Sequence, residues 1–442
     1  MSDARLRELF AEPIPADRLH NIDHPKQAMF RRCLEHLPSD GDAGNVVAFF
    51  VPGRIEVFGK HTDYCGGRSI LCAVDRGFAV VARPRADRVV RVIDAARGDD
   101  CLTSLADPAK PPLGHWSNYP LTVVRRVADN FDGARLTGAD IAFISDLPQA
   151  AGMSSSSAMI ITVFLAVASI NRLDQTEAFT QSIQTLEDLA HYCGCIENGS
   201  GFRGLAGSSG VGTSGGSQDH TAILCCRANM LSQYSFAPVR HERDIPFPAD
   251  VALVVLDSGV VAEKTGSALE KYNNVSRRAR ALVELWNRST GQQQPTLAAV
   301  VRSAPDAAAR LRELIGSAGD LPFERQELVD RLDQFIAEAE SIIPAAADAF
   351  AAGDLDRLRQ CVDASVAGAI DKLYNQIPQT IELYRSALAA GAIAASPFGA
   401  GFGGSVWAMV RRDRLEAFTS AMQTKAAGVH VVNAASSAHV CR

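Results

Sequence analysis

Leu147-Pro-Gln-Ala-Ala-Gly-Met-Ser-Ser-Ser-Ser-Ala158 follows the strand-like run Ala139-Asp-Ile-Ala-Phe-Ile144 and precedes a long apolar stretch, Ala158 to Ile170. The order strand, small-residue loop, buried helix carries a chemical implication. The first turn of a helix leaves backbone N–H groups without partners, and the helix dipole favours negative charge there. A glycine followed by a run of hydroxyl residues at that point makes a phosphate cradle without a Walker lysine. The plain alternative is a serine-rich helix cap, which needs one serine and not four.

Outward from this loop the chain divides by pattern. Upstream, residues 1 to about 45 read as a helical, polar lead-in ending in the loop Ser39–Gly44. Short apolar or alternating runs then predict strands at Val46–Val51, Ile55–Phe58, Phe78–Ala82 and Val89–Ile93, with a helix over Trp116–Phe131. Downstream, 173–193 reads as a helix, followed by a Gly/Ser-rich loop, Asn198–Ser217, open to being mobile. Val251–Leu256 reads as a strand, and 263–290, 296–315, 322–352 and 354–373 as helices. Val406–Val410 and Val429–Val432 read as closing strands. A composition shift near residue 245 sets the expected boundary between two lobes, 1–245 and 246–442, as 442 residues favour two domains.

The bulk properties exclude several classes. The chain is 47% hydrophobic and 21% charged, with a formal charge of −6, and no lysine or arginine cluster is dense enough to track nucleic acid. The charged start lacks the apolar core of a secretory signal, and no apolar run is long enough to cross a bilayer. Ten cysteines are scattered without any C-x-x-C pair, which points to reduced thiols and a cytoplasmic protein. Cys193 and Cys195 stand close, but a packing role fits them better than a metal site without further ligands.

Ser396-Pro-Phe-Gly-Ala-Gly-Phe-Gly-Gly-Ser405 contains G-x-G-x-x-G at Gly399, Gly401 and Gly404, yet here a helix precedes and a strand follows. A dinucleotide fingerprint requires the reverse order, so these glycines read as close packing beside a nucleotide site. A third segment, Pro52-Gly-Arg-Ile-Glu-Val-Phe-Gly-Lys-His-Thr-Asp-Tyr-Cys-Gly-Gly67, gathers Arg54, His61 and Asp63 in one turn, donors and acceptors suited to a polyhydroxylated ligand.

With these three segments in this order, the chain resembles the GHMP small-molecule kinases and, through Gly53–Gly67, their galactokinase branch. Gly53–Gly67 follows G-R-[VI]-N-[LF]-I-G-E-H-T-D-Y-N-G-G, Pro148–Ser157 follows P-x-G-[AG]-G-L-S-S-S-A with Ala150 and Met153 substituted, and G-A-G-F-G-G is intact at Gly399–Gly404. The resemblance implies an α+β, two-domain GHMP kinase fold: an N-terminal lobe like ribosomal protein S5 domain 2, a ferredoxin-like, helix-rich C-terminal lobe, and the active site in the cleft. It implies a sugar 1-kinase using ATP and magnesium, with sugar and ATP as its small-molecule partners. It assigns Asp219, in Gly216-Ser-Gln-Asp-His220, as the base and Arg54 as its partner. Lys60, His61, Asp63 and Tyr272 become substrate-binding residues, Gly152, Ser154, Ser155, Ser156 and Ser157 bind ATP, and Ser155 with Glu197 holds the metal.

Three departures stand out. Lys60 replaces a family glutamate that accepts hydrogen bonds from the sugar, and lysine has only donors. Either Lys60 meets an anionic group, as on a hexuronic acid, or it pairs with a nearby acid such as Glu56. The stretch between Glu197 and Asp219 is long, and Gln218-Asp219-His220 stands where the family has M-D-Q. A non-catalytic sugar and ATP sensor is the reading from another class, and retention of Arg54 and Asp219 weighs against it. Mevalonate- or homoserine-type acceptors fit less well, because those branches lack the segment His61–Tyr64.

Overall fold

The computed structural model describes residues 4–10, 12–38, 44–148, 151–261 and 266–441. Gln149 and Ala150 of the serine-rich loop, most of the loop Ser39–Gly44, and the first residues of the helix expected from 263 lie outside them. The architecture rests on two sheets. The larger is built around a long antiparallel hairpin, Asn45–Phe58 with Arg68–Pro84, flanked by Ala139–Ser145, Val89–Asp94 and Asp99–Ser104. The smaller has four antiparallel strands in the order Ala394–Pro397, Ser405–Arg411, Val251–Asp257, Gly428–Val432.

Asn45–Phe58 is buried along almost its whole length because its two faces feed two cores. Val46, Ala48 and Phe50 pack with Phe30 and Cys33 of the helix Gln27–His36. Val47, Phe49 and Val51 pack with Ile160, Val163 and Phe164 of the helix Ser155–Ile170. Period-two alternation thus sorts side chains between two apolar layers, not between core and water. The helix Ser155–Ile170 is buried from Ser157 to Ser169, as its unbroken apolar composition predicts.

The hairpin ladder shifts register between Pro52 and Arg54 and again between Glu56 and Phe58. Proline has no N–H to offer the ladder, and bulges turn neighbouring side chains out of the regular pleat. These irregularities aim Arg54 and Glu56 at the cleft.

Helices Gly266–Thr290, Leu297–Val301, Ala307–Ser317 and Arg325–Ile336 form a wing around Trp286, Leu332 and Phe335, whereas Ile343–Ala352 and Leu355–Gly368 pack into the large core. Residues 325–352 run as one helix with a π-helical stretch, Ala337–Ile342. The helix expected over 173–193 is broken into Glu177–Ser182 and Leu186–Asn198, and the one over 296–315 into Leu297–Val301 and Ala307–Ser317. The hairpin Met230–Ser235 with Arg240–Pro246 has no counterpart in the sequence reading. Near residue 245 the chain passes from the large sheet to the small one. It also comes back: Ala434–Ala435 pairs with Val74 and Ala73, and His439–Val440 pairs with Phe50 and Phe49. Among the described residues, no helix is long and apolar enough to cross a membrane.

Candidate active site

Three remote parts of the chain meet at Arg54. Its Nε donates to Asp219 Oδ1 at 2.7 Å, and its Nη1 donates to the Gly152 carbonyl at 2.6 Å. Burial opposes the guanidinium charge, but Asp219 and Glu56 outweigh it and raise its pKa. The second Asp219 oxygen accepts the Ser154 hydroxyl. Asp219 is therefore held in place by a guanidinium on one oxygen and a hydroxyl on the other.

The serine run sorts by helical geometry. Ser154 takes a left-handed conformation (φ 59°) immediately before the helix Ser155–Ile170, and its hydroxyl makes no cap hydrogen bond because it faces Asp219. Ser155 and Ser156 line a groove with Gly152, Met153, Pro148 and Tyr119. Ser157 turns inward and donates to Glu197 Oε2 at 2.9 Å. Successive helical residues point about 100° apart, so one run serves three places. The serine-cap alternative is not what the loop does.

The groove abuts a second cavity lined by Glu56, His61, Asp63, Glu197, Gln218, Asp219, His220 and Tyr272, and Arg54 and Ala400 line both. His61 also takes a positive φ, 57°. Its Nε2 donates to the Ala400 carbonyl at 3.1 Å, and its Nδ1 lies 2.8 Å from the Tyr64 hydroxyl. Asp63 accepts the Gln218 N–H at 3.1 Å, and burial raises its pKa. The Tyr272 ring stands 5.5 Å from that of His61, and burial drives its phenol well above its usual range. Glycines permit this crowding. A Cβ on Gly216 would sit 2.4 Å from Asp63 Oδ2, and one on Gly399, whose φ is +81°, would sit 3.3 Å from the Gly152 carbonyl.

Lys60 is not where the sequence placed it. It is 2% exposed and absent from the cavity wall; its ammonium donates to Ser396 Oγ at 2.8 Å. Its backbone explains the direction: Glu338 Oε1 accepts the N–H groups of Gly59 (3.0 Å) and Lys60 (3.3 Å), and Gln334 Nε2 donates to the Lys60 carbonyl at 3.1 Å. Lys60 instead acts at a distance on Glu56, whose pKa burial raises to about 7 while Lys60 and Arg54 pull it down. Of the pairing expected with Glu56, the structure shows a through-space pull and not the ammonium's hydrogen bond, which goes to Ser396.

The residues expected to hold a metal are split. Ser155 lines the groove, whereas Glu197 lines the cavity, with Ser157 as its hydroxyl neighbour and His220 Nε2 3.1 Å from Oε2. A buried carboxylate beside a hydroxyl, opening on a cavity next to a helix N-terminus, suits a hard divalent cation bound mainly through phosphates and water. The stretch 198–217 is packed, not loose. Asn118 Nδ2 donates to the Val211 carbonyl at 2.9 Å, the Ser214 N–H donates to Asn273 Oδ1 at 2.9 Å, and a Cβ on Gly210 would sit 2.3 Å from the Glu197 carbonyl. Sequence reasoning gave Gln218, His220 and Glu56 no place in the wall. The two-residue spacing of Glu56 from Arg54 on one strand was the available signal for it.

Comparison with known proteins identifies the family. The galactokinase galactose-binding signature matches residues 40–84, the GHMP kinases N terminal domain 118–207, and the GHMP kinases C terminal domain 346–428. Similar curated proteins include the galactokinases of Chloroflexus aurantiacus (30% identical over 84% of this chain and 85% of that protein) and of a Roseiflexus species (30%, 83% and 84%). Among solved structures, Lactococcus lactis galactokinase complexed with galactose superposes with a TM-score of 0.73 at 23% identity, covering 90% of this chain and 96% of that one. The mevalonate kinase of L. major has the same fold at a TM-score of 0.53 and 15% identity, covering 88% and 96%.

Proposed function

The chain belongs to the galactokinase family of GHMP kinases, and from that premise we propose that it transfers the γ-phosphoryl group of ATP to the anomeric hydroxyl of a neutral hexose, galactose first among them. The observation that carries this reading is the Arg54–Asp219 pair, set where the serine-lined groove meets the polar cavity. ATP phosphates would lie against the helix N-terminus at Ser154–Ser156 and the sugar in the cavity. The cavity wall argues for a neutral sugar. It carries the carboxyl groups of Glu56, Asp63, Glu197 and Asp219 against one guanidinium, Arg54, which is already paired with Asp219, so the wall offers a uronate no matching charge.

In the reaction the sugar O1 forms a bond to the γ-phosphorus as the bond from that phosphorus to the β–γ bridging oxygen breaks, and ADP leaves. The O1 proton passes to the Asp219 carboxylate, which Arg54 and Ser154 hold in position. Arg54 also places a fixed positive charge beside the transferring group, where positioning and charge supply most of the catalysis. Glu197 with a loop hydroxyl, Ser155 or Ser157, would hold magnesium, which would neutralise phosphate charge. The first lobe, to about residue 245, would thus bring base, arginine and phosphate loop, and the second Tyr272 and Gly399–Ala400. Ten free thiols are consistent with a reducing, cytoplasmic setting.

The test is ATP consumption with magnesium over galactose, glucose, arabinose, fucose, galacturonate and glucuronate. Turnover of a neutral sugar and its loss in Asp219→Asn by about two to four orders of magnitude are expected, with ATP binding retained. A protein that binds sugar and ATP but turns over none of the panel would overturn the kinase reading in favour of a sensor. Preference for a uronate would overturn the neutral-sugar assignment.

A further inference from the structure

Glu56 has no part in the chemistry above, yet it lines the cavity in which the acceptor would sit. It lies two residues from Arg54 on Asn45–Phe58, so the two side chains leave the strand on one side. It is 2% exposed. Its carboxylate is fixed by a relay from three elements: the Ser69 hydroxyl donates to Gln218 Oε1, and Gln218 Nε2 donates to Glu56 Oε2 at 2.7 Å. The other oxygen, Oε1, is buried and has no hydrogen-bond partner among the described residues. A buried carboxylate oxygen left without a donor is costly, and such groups in folded proteins are nearly always satisfied. The charged groups acting on it are Lys60 and Arg54, which favour its ionised form, and Asp219, which opposes it.

We propose that Glu56 Oε1 accepts a hydrogen bond from one hydroxyl of the sugar and is a specificity-determining residue for the acceptor. This rests on the sugar-kinase reading and adds a residue to it. Of the chemical classes available, only a neutral donor fits: an anion would be repelled, and a cation would compete with Arg54 and Lys60. A ring hydroxyl supplies one O–H donor at no charge cost, and the rigid Ser69–Gln218–Glu56 relay lets the site reject a ligand that lacks it.

The experiment compares the wild type with Glu56→Gln, and with Glu56→Met as a second variant of similar size, on galactose and its complete set of monodeoxy analogues. In the wild type assayed at pH 8, where Glu56 is ionised, deletion of one particular hydroxyl should lower kcat/KM about 10- to 100-fold, the range for a hydrogen bond to a charged group. In the variants that same deletion should cost only a few-fold, while penalties at the other positions and the KM for ATP stay as they were. A merely structural role would lower turnover of all analogues together. If every deoxy sugar carries the same relative penalty in variants and wild type, Glu56 does not touch the sugar and the proposal fails with the kinase reading intact. A wild type that turns over none of the sugars overturns both.

Discussion

Replacement of Glu56 by glutamine should make the protein more stable above neutral pH, by a margin that shrinks towards nothing as the pH falls below the unfolded carboxyl value of 4.5. Burial raises the Glu56 pKa from 4.5 to about 7, against the opposing pull of Lys60, Arg54 and the Gln218 hydrogen bond. The sign follows from proton counting. Between the unfolded value and about 7 the folded protein holds a proton that the unfolded chain has released, so stability falls as pH rises through that window and levels off above it. At about 1.4 kcal/mol per unit, the shift corresponds to about 3 kcal/mol lost between pH 4.5 and 7. Glutamine mimics the protonated carboxyl, placing a donor where the unpartnered Oε1 lies and an acceptor for Gln218 Nε2. Urea unfolding of both proteins at pH 5 and pH 8 reads the difference directly. Curves that differ by about 3 kcal/mol at pH 8 and by less than about 1 kcal/mol at pH 5 support the argument. A constant difference at both pH values would refute it, since the cost would then lie in packing and not in charge.

Arg54→Lys removes one of two simultaneous contacts, because an ammonium cannot reach both Asp219 and the Gly152 carbonyl with the fork of a guanidinium; kcat should fall roughly 10- to 100-fold in steady-state assays. Ser154→Ala takes a donor from the Asp219 carboxylate, so kcat should fall several-fold while the KM for ATP changes little, and unchanged turnover would sink the claim that Ser154 positions Asp219. Gly401→Ala forces a side chain onto φ +79° with its Cβ 2.3 Å from the Asn375 carbonyl; a loss of at least about 1–2 kcal/mol is expected in thermal unfolding, with weaker ATP binding. Glu338→Ala frees the N–H groups of Gly59 and Lys60, so the sugar KM should rise more than the ATP KM.

What the sequence disclosed and what it hid differ in physical kind. The phosphate loop, the glycine segment and the Arg54 turn were legible because backbone chemistry dictates them: a helix N-terminus, a close approach, a turn. Their convergence followed from resemblance, and the structure brings Arg54 and Asp219 to 2.7 Å across 165 residues of chain. The direction of a long side chain has no such local cause. Lys60 sits in the right turn but reaches Ser396, on a strand of the other sheet, because Glu338 and Gln334 seize its backbone. Ser155 and Ser157 are alike in composition, yet only the second meets Glu197, since two helical steps turn it by about 200°. The tail strands at Ala434 and His439 escaped for a related reason. Two-residue strands carry no readable period, and their partners, Val74 and Phe50, lie more than 350 residues away. Charge shows the same limit from the other side. A lysine at 60 read either as a partner for an anionic substrate group or as a local pair with Glu56, but its ammonium reaches Ser396 and acts on Glu56 only through space, while Gln218 holds the Glu56 carboxylate in the cavity wall.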